Sequence, residues 1–154
     1  MRIASTALRA LEAHGEESFP HECCGLLLGR QGADGVREAL RAAPARNLEP
    51  ERAHDRYLLD PQDRLRVEEQ GRREGLTLVG FYHSHPDHEA YFSETDLVRS
   101  EEYQWGQPWV PPSYTYLVTS VQAGRAVLTR AFEVREGRAC PVPLEVNPAR
   151  GDGA

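Results

Sequence analysis

The segment 76–85, LTLVGFYHSH, constrains the fold more than any other stretch of the chain. Its first seven residues are almost all apolar, β-branched or aromatic, which predicts a buried strand. Side chains at positions i and i+2 of a strand point to the same face. If the strand continues to the end of the segment, His83 and His85 project together and Ser84 projects away from them. The strand then brings two imidazoles to one place in the fold.

The rest of the chain alternates between helical and strand patterns around this segment. Helices are predicted over 5–17, 60–74 and 93–102, the second with an Asp-Pro start that suits an N-cap and a first helical position. Further strands are predicted over 22–29, 36–43, 56–59, 114–121 and 126–134, with an edge strand near 140–146. Loops are expected at 43–55 and 105–112. This order predicts an α/β fold in a single domain over 1–146, with a frayed tail at 147–154.

Charge and cysteine content exclude several classes of function. The 18 basic and 24 acidic residues give a net charge of −6, which argues against a general binder of nucleic acid or of membrane surfaces. All the basic residues are arginines, so no lysine can serve as nucleophile or base. No apolar stretch approaches the ~20 residues of a membrane span, and the N-terminal region lacks a secretory pattern. The three cysteines suit no disulfide framework, so a cytoplasmic location is expected.

His83, His85 and Asp96 form the main candidate site. Two imidazoles and a carboxylate suit Zn²⁺, and three protein ligands leave a fourth position for water. The alternative is that both histidines are surface or capping residues. Ser93-x-x-Asp96 is also a helix-capping pattern, which is compatible with metal binding because a carboxylate in the first turn can still face outward. Spacing alone leaves both interpretations open.

The segment that contains these residues, HSHPDHEAYFSETD, resembles the JAMM signature of the MPN-plus family of zinc isopeptidases. Ser93 follows His85 by eight residues and Asp96 follows it by eleven, which is the family spacing. The upstream segment FPHECCGLLLG resembles the strand that carries the family's glutamate, and it places Glu22 in that role. The resemblance extends to about residue 134. It implies a single MPN (JAMM) domain, a mixed central sheet flanked by helices with layering like that of cytidine deaminases.

The same resemblance implies roles for five residues. One Zn²⁺ per chain would be held by His83, His85 and Asp96. Glu22 would act as the base toward the attacking water, and the Ser93 hydroxyl would donate to the developing oxyanion or to that water. Without the resemblance, Glu22 is interpreted as a surface carboxylate at a strand end and Ser93 as a simple N-cap.

Rival functions differ in the residues that they require after the histidines. Zinc nucleobase deaminases need a later PCxxC, which this chain lacks. A DNA-repair-associated branch of the same fold carries a Ser-Gly-Asp-Pro run where this chain has PDHEAYFS. A non-catalytic MPN scaffold in a protein complex remains the alternative, although such modules typically lack the ligand set that is present here.

The short chain is most similar to small bacterial members of the family. Some of these release cysteine from the C-terminal Gly-Gly of ubiquitin-like sulfur-carrier proteins. The resemblance therefore implies a hydrolase whose partner is a ubiquitin-like or sulfur-carrier protein, with no nucleic-acid or membrane partner. One departure is the bulky Tyr91-Phe92 pair, which puts the shape of the substrate groove in question. His21 and His88 are expected to be solvated loop residues without a ligand role.

Overall fold

The computed structural model describes residues 1–49, 58–100 and 114–148. Eight strands and three helices occur in these ranges. The strands are β1 (Arg2–Ala4), β2 (Cys24–Gln31), β3 (Arg37–Ala45), β4 (Thr77–Pro86), β5 (Thr115–Gln122), β6 (Arg125–Arg135), β7 (Arg138–Val142) and β8 (Glu145–Asn147). The helices are α1 (Ser5–Ser18), α2 (Pro61–Arg73) and α3 (Glu94–Arg99). None of these helices combines the length and apolar character that a membrane crossing requires.

The strands form one mixed sheet in the order β7-β6-β5-β4-β2-β3-β1-β8. β4 lies at the centre, antiparallel to β2 and parallel to β5. Every residue of β4 from Val79 to Pro86 is buried, which explains its continuous apolar run. β7 and β8 lie at opposite edges of the sheet, yet only residues 143 and 144 connect them. Two residues cannot span a flat sheet of eight strands, so the sheet curls and brings its edges together.

Helices cover both faces of the sheet. On one face α1 packs through Leu11 onto Leu27 and Leu117, and on the other face α2 packs through Val67 onto Leu26 and Leu28. Asp60 caps α2 by accepting a hydrogen bond from the Gln62 amide at 2.9 Å. The predicted α/β architecture, with a mixed sheet between helices, is thereby confirmed.

A β-bulge in β4 determines which face the histidines occupy. Leu27 pairs with Gly80 and Leu28 pairs with Leu78, so Val79 is an extra residue in β4. Beyond the bulge, Phe81 packs into the α2-side cluster and Tyr82 into the α1-side cluster. Continued alternation places His83 and His85 on the face of Phe81, and it places Ser84 against Gly15 of α1.

Several predicted boundaries differ from the structure. The strand predicted over 22–29 begins at Cys24 and the one over 36–43 continues to Ala45, so the expected loop at 43–55 starts later. The helix predicted over 93–102 ends at Arg99, because Ser100 is extended and its hydroxyl donates to the Leu97 carbonyl at 2.6 Å.

The ends of the chain differ most from the prediction. The sequence pattern does not predict β1, and the single edge strand expected near 140–146 is two strands, since β7 pairs with β6 and β8 pairs with β1. Of the strand expected at 56–59, Leu59 forms an isolated bridge with Asn47, and residues 56–57 lie outside the described ranges. The 105–112 loop and most of the expected 147–154 tail also lie outside them.

Candidate metal centre

Four buried side chains converge at the end of β4. Glu22, His83, His85 and Asp96 each offer one ligand atom, and these four atoms all lie within 4.8 Å of one another. Glu22 is 5% exposed and Asp96 is 4% exposed, so both carboxyl groups are shielded from bulk water. Carboxyl groups are rarely buried unless they are paired or bind a metal.

The pairing of β2 with β4 brings Glu22 to the histidines. Cys24 lies opposite His83 in the antiparallel register, and the Ser84 amide donates to the Cys23 carbonyl at 3.1 Å. The same register, extended by two residues, sets Glu22 opposite His85 and on the same face of the sheet. Glu22 therefore lies two residues before the first residue of β2, and the pairing of β2 with β4 fixes its position.

Asp96 is fixed by the capping box that begins α3. The Ser93 hydroxyl oxygen accepts from the Asp96 amide at 3.0 Å, and Asp96 Oδ2 accepts from the Ser93 amide at 2.9 Å. The same Oδ2 lies 2.9 Å from His83 Nε2 and 3.1 Å from His85 Nε2. The predicted cap is confirmed, and capping directs the carboxylate toward the imidazoles.

The spacing of the converging atoms fits a tetrahedral metal ion. The Nε2 atoms of His83 and His85 lie 3.3 Å apart, and each lies close to the Asp96 oxygen. Ligand atoms at tetrahedral angles around Zn²⁺, with bonds of about 2.0–2.1 Å, are separated by about 3.3 Å. Nitrogen from two imidazoles with a carboxylate oxygen is a donor set that suits transition metals rather than Mg²⁺ or Ca²⁺.

The second nitrogen of His85 orients the ring. His85 Nδ1 lies 3.0 Å from the Glu89 carbonyl oxygen, so Nδ1–H donates to that carbonyl. Nε2 then carries the lone pair that faces Asp96 and His83. A backbone carbonyl on the far nitrogen is the usual way in which proteins fix a metal-binding histidine.

Electrostatics favour the metal-binding protonation states of His83 and Asp96, whereas at His85 the effect of burial is outweighed by Asp96, which raises the pKa of that imidazole. Burial alone would raise the pKa of the Asp96 carboxyl, but His83 and His85 hold that pKa well below its usual range. Burial lowers the pKa of His83, and Asp96 opposes the shift only in part. A neutral imidazole and an ionised carboxylate are the forms that coordinate metals.

Comparison with known proteins places the chain in a family. A family profile described as prokaryotic homologs of the JAB domain matches residues 4–133. The chain belongs to this family. The match spans both the Glu22 segment and the segment that carries the histidines and Asp96.

Named relatives of this JAB-family chain include three peptidases. Desampylase of Haloferax volcanii is 33% identical over 126 residues, which cover 78% of this chain and 80% of that protein. The CysO-cysteine peptidase of Mycobacterium bovis is 28% identical over 144 residues, which cover 94% of this chain and 89% of that protein. A probable TtuB-protein conjugate cleaving protease of Thermus thermophilus is 36% identical over 103 residues, which cover 67% and 63%.

Solved structures share the fold. The solution structure of a protein from Desulfitobacterium hafniense matches with a TM-score of 0.75 at 23% identity, covering 100% of this chain and 99% of that one. The crystal structure of a JAB1/MPN domain protein from Archaeoglobus fulgidus matches with a TM-score of 0.58 at 17% identity, covering 95% and 98%. The predicted JAMM/MPN fold is thus confirmed.

The structure leaves the other conspicuous side chains outside the cluster. His21 and His88 are exposed, as expected for solvated loop residues. Cys23 and Cys24 are buried, and neither belongs to the group of converging ligand atoms. Arg46 forms ion pairs with the carboxylates that begin α2, at 2.7 Å to Asp60 and 3.3 Å to Asp63.

Sequence reasoning missed two supports of the site. Asn47 Nδ2 donates to the Glu22 carbonyl at 3.2 Å, which connects the end of β3 to the catalytic candidate. Phe92 packs between His83, with ring centroids 6.2 Å apart, and Phe132, with centroids 5.8 Å apart. The bulk of Phe92 is visible in the sequence, whereas nothing around Asn47 signals a partner 25 residues away.

Proposed function

We propose that the protein is a metallopeptidase that hydrolyses the amide bond after the C-terminal Gly-Gly of a ubiquitin-like or sulfur-carrier protein. The observation that carries the proposal is the buried convergence of Glu22, His83, His85 and Asp96 in a chain of the JAB family. Relatives named desampylase, CysO-cysteine peptidase and conjugate cleaving protease support this class of substrate.

The metal in this proposal is one Zn²⁺, held by His83, His85 and Asp96. The three ligand atoms, spaced 2.9–3.3 Å apart, support this choice. When bound, Zn²⁺ supplies a Lewis acid that polarises the scissile carbonyl and lowers the pKa of a water molecule.

Glu22 moves the proton in this proposal. Its carboxylate takes one proton from the attacking water as the oxygen bonds to the carbonyl carbon. It then delivers that proton to the nitrogen as the C–N bond breaks, which yields a free amine and the carboxylic acid of the carrier; the second proton of the water then passes from the acid to the amine, which leaves a carboxylate and an ammonium group. The buried position of Glu22 beside the histidine nitrogens supports this role, because the carboxylate faces the reacting atoms without being needed as one of the three ligands.

Ser93 stabilises the oxyanion in this proposal. Its oxygen already accepts the Asp96 amide hydrogen bond, so its own O–H remains able to donate. Ser93 is half-buried and its oxygen bonds the backbone of Asp96, one of the proposed ligands, which supports a role for this donor near the cluster. A hydrogen-bond donor aimed at the developing negative charge lowers the barrier of acyl transfer.

The test is incubation of the Zn²⁺-loaded protein with a ubiquitin-like carrier that ends in Gly-Gly-Cys, followed by intact mass spectrometry. Loss of the mass of one cysteine residue is expected with Zn²⁺-loaded protein and not after removal of the metal by chelation. Binding of the carrier without cleavage would instead favour a scaffold function. The same carrier with Gly-Gly replaced by Ala-Ala controls for unspecific proteolysis.

A further inference from the structure

A cavity of about 270 Å³ lies beside the candidate metal ligands, between the segment 89–91 and strands β5 and β6. Tyr91 forms one wall, and its ring stands edge-on to the His85 ring with centroids 5.0 Å apart. Ser120 forms the floor, where its hydroxyl donates to the His88 carbonyl. Tyr91 therefore sets the cavity next to His85, although none of the four candidate ligands lines it.

The sheet register gives the distance from this cavity to the histidines. Ser120 pairs with His85, and Leu128 pairs with Ser120. Arg130 is the next residue of β6 on the same face. It pairs with Val118 of β5, which in turn pairs with His83 of β4. Neighbouring strands are about 4.8 Å apart, so the backbone of β6 at the cavity lies about 10 Å from the backbone of β4 that carries the histidines.

Glu89 and Arg130 both line the cavity, one on each side of it. Glu89 lies at the near side, where its backbone carbonyl accepts from His85. Arg130 lies at the far side, on β6. Arg130 is exposed and forms no hydrogen bond or ion pair with any other residue in the described ranges. Among the described residues, therefore, none competes with a ligand for its guanidinium.

The volume restricts what the cavity can hold. A space of about 270 Å³ lies below the range of 300–1,000 Å³ that is typical of pockets for drug-sized ligands. It suits one amino-acid residue with a small side chain. The extended tail of a carrier, which leads to a folded domain, must enter the site from another side.

We propose that this cavity binds the residue on the leaving side of the scissile amide, and that Arg130 recognises the free α-carboxylate of that residue. The inference rests on the function proposed above and names its substrate class, a carrier whose last Gly is joined to the α-amine of a single amino acid. The position of Arg130 supports it, because hydrolysis beside the histidines releases the amine on the near side of the cavity and leaves the carboxylate toward Arg130. In an isopeptide, by contrast, the carrier is joined to the side-chain amine of a lysine, and no free α-carboxylate lies next to the scissile nitrogen.

The test compares two peptides that end in Gly-Gly-Cys, one with a free C-terminal carboxylate and one with a C-terminal amide. Wild-type protein loaded with Zn²⁺ is expected to cleave the acid with a kcat/KM about tenfold higher than that for the amide. The reason is that the amide cannot form the charge-assisted hydrogen bond between Arg130 and a carboxylate. In R130A the ratio of the two kcat/KM values should fall toward one, and in R130E it should invert. R125A, which changes another exposed arginine of β6 outside the cavity lining, should keep the wild-type ratio.

The outcomes separate this inference from the proposed function. If wild-type protein cleaves neither peptide nor a full carrier, the proposed function fails. If it cleaves acid and amide at equal rates, or if R130A keeps the wild-type ratio, only the assignment of Arg130 is overturned. Thermal melting of each variant shows that the exposed substitutions leave the fold intact.

Discussion

Nε2 of His83 lies 2.9 Å from Oδ2 of Asp96, and that same oxygen accepts the amide hydrogen bond that caps α3. One carboxylate oxygen therefore serves the helix and faces the imidazole. The helix cannot shift without moving the carboxylate, so the geometry of the cluster depends on the start of α3 as much as on β4.

Replacement of Asp96 should abolish tight metal binding. D96A removes one of three ligands, and we expect metal content to fall from about one Zn²⁺ per chain to near zero after dialysis, as measured by inductively coupled plasma mass spectrometry. D60A is the matched control, because Asp60 caps α2 and is not one of the converging ligand residues. D60A should cost about 1 kcal/mol of unfolding free energy and retain the metal. Full metal occupancy in D96A would remove Asp96 from the ligand set.

Replacement of Glu22 should separate metal binding from catalysis. E22Q keeps the size of the side chain but cannot accept a proton, so we expect normal Zn²⁺ content and a loss of about 10²–10⁴-fold in kcat. Initial rates with the Gly-Gly-Cys carrier measure this. E94Q, at an exposed carboxylate in the first turn of α3, should retain wild-type rates. Turnover by E22Q within a few-fold of wild type would exclude Glu22 as the base.

The sequence predicts those parts of the site that depend on local periodicity. Alternation along β4 groups His83 with His85, and the spacing of Ser93 and Asp96 predicts the capping box that the structure contains. Both features arise from residues near one another in the chain. The central strand and the helices α1 and α2 are predicted for the same reason.

Features that depend on distant partners could not be predicted. The bulge at Val79 arises from a mismatch between β2 and β4, and no local pattern reveals it. β1 has three residues and exists because β3 and β8 flank it. Asn47 reaches Glu22 only after β2 and β3 have paired. Each case is a tertiary contact that overrides or supplements local propensity.

Asn47 should act as a positioning residue for Glu22. Its Nδ2 donates to the Glu22 carbonyl at 3.2 Å, while its Oδ1 accepts from the amides of Glu49 and Leu58 at 3.0 and 2.9 Å. N47D keeps the accepting oxygen and loses the donor. We therefore expect N47D to lower kcat about tenfold with little change in KM or metal content, and to lower the melting temperature less than N47A does.

Two comparisons check this role. If Asn47 served only to hold the amides of Glu49 and Leu58, N47D would be nearly as active as the wild type and N47A alone would be impaired. Equal kcat values for N47D and the wild type would therefore contradict a positioning role. N147D, at an asparagine of β8 that donates to Glu38 at 3.4 Å, is the control for removal of an amide donor elsewhere.

The buried thiols predict a specific dependence of stability on pH. Burial raises the pKa of Cys23 from 9.0 to about 11 and also raises the pKa of Cys24, so both thiols stay protonated in the folded protein at pH 8. Because the unfolded thiol ionises first, this stabilisation is complete below about pH 9 and is lost as pH rises toward 11. Denaturant unfolding should show the free energy of unfolding falling over that range by up to about 3 kcal/mol from Cys23, and C23A should show a shallower fall.

A thiol reagent at pH 8 should modify only Cys140, which is partly exposed, until the chain unfolds. Rapid modification of two or three thiols in the native protein would contradict the burial of this pair.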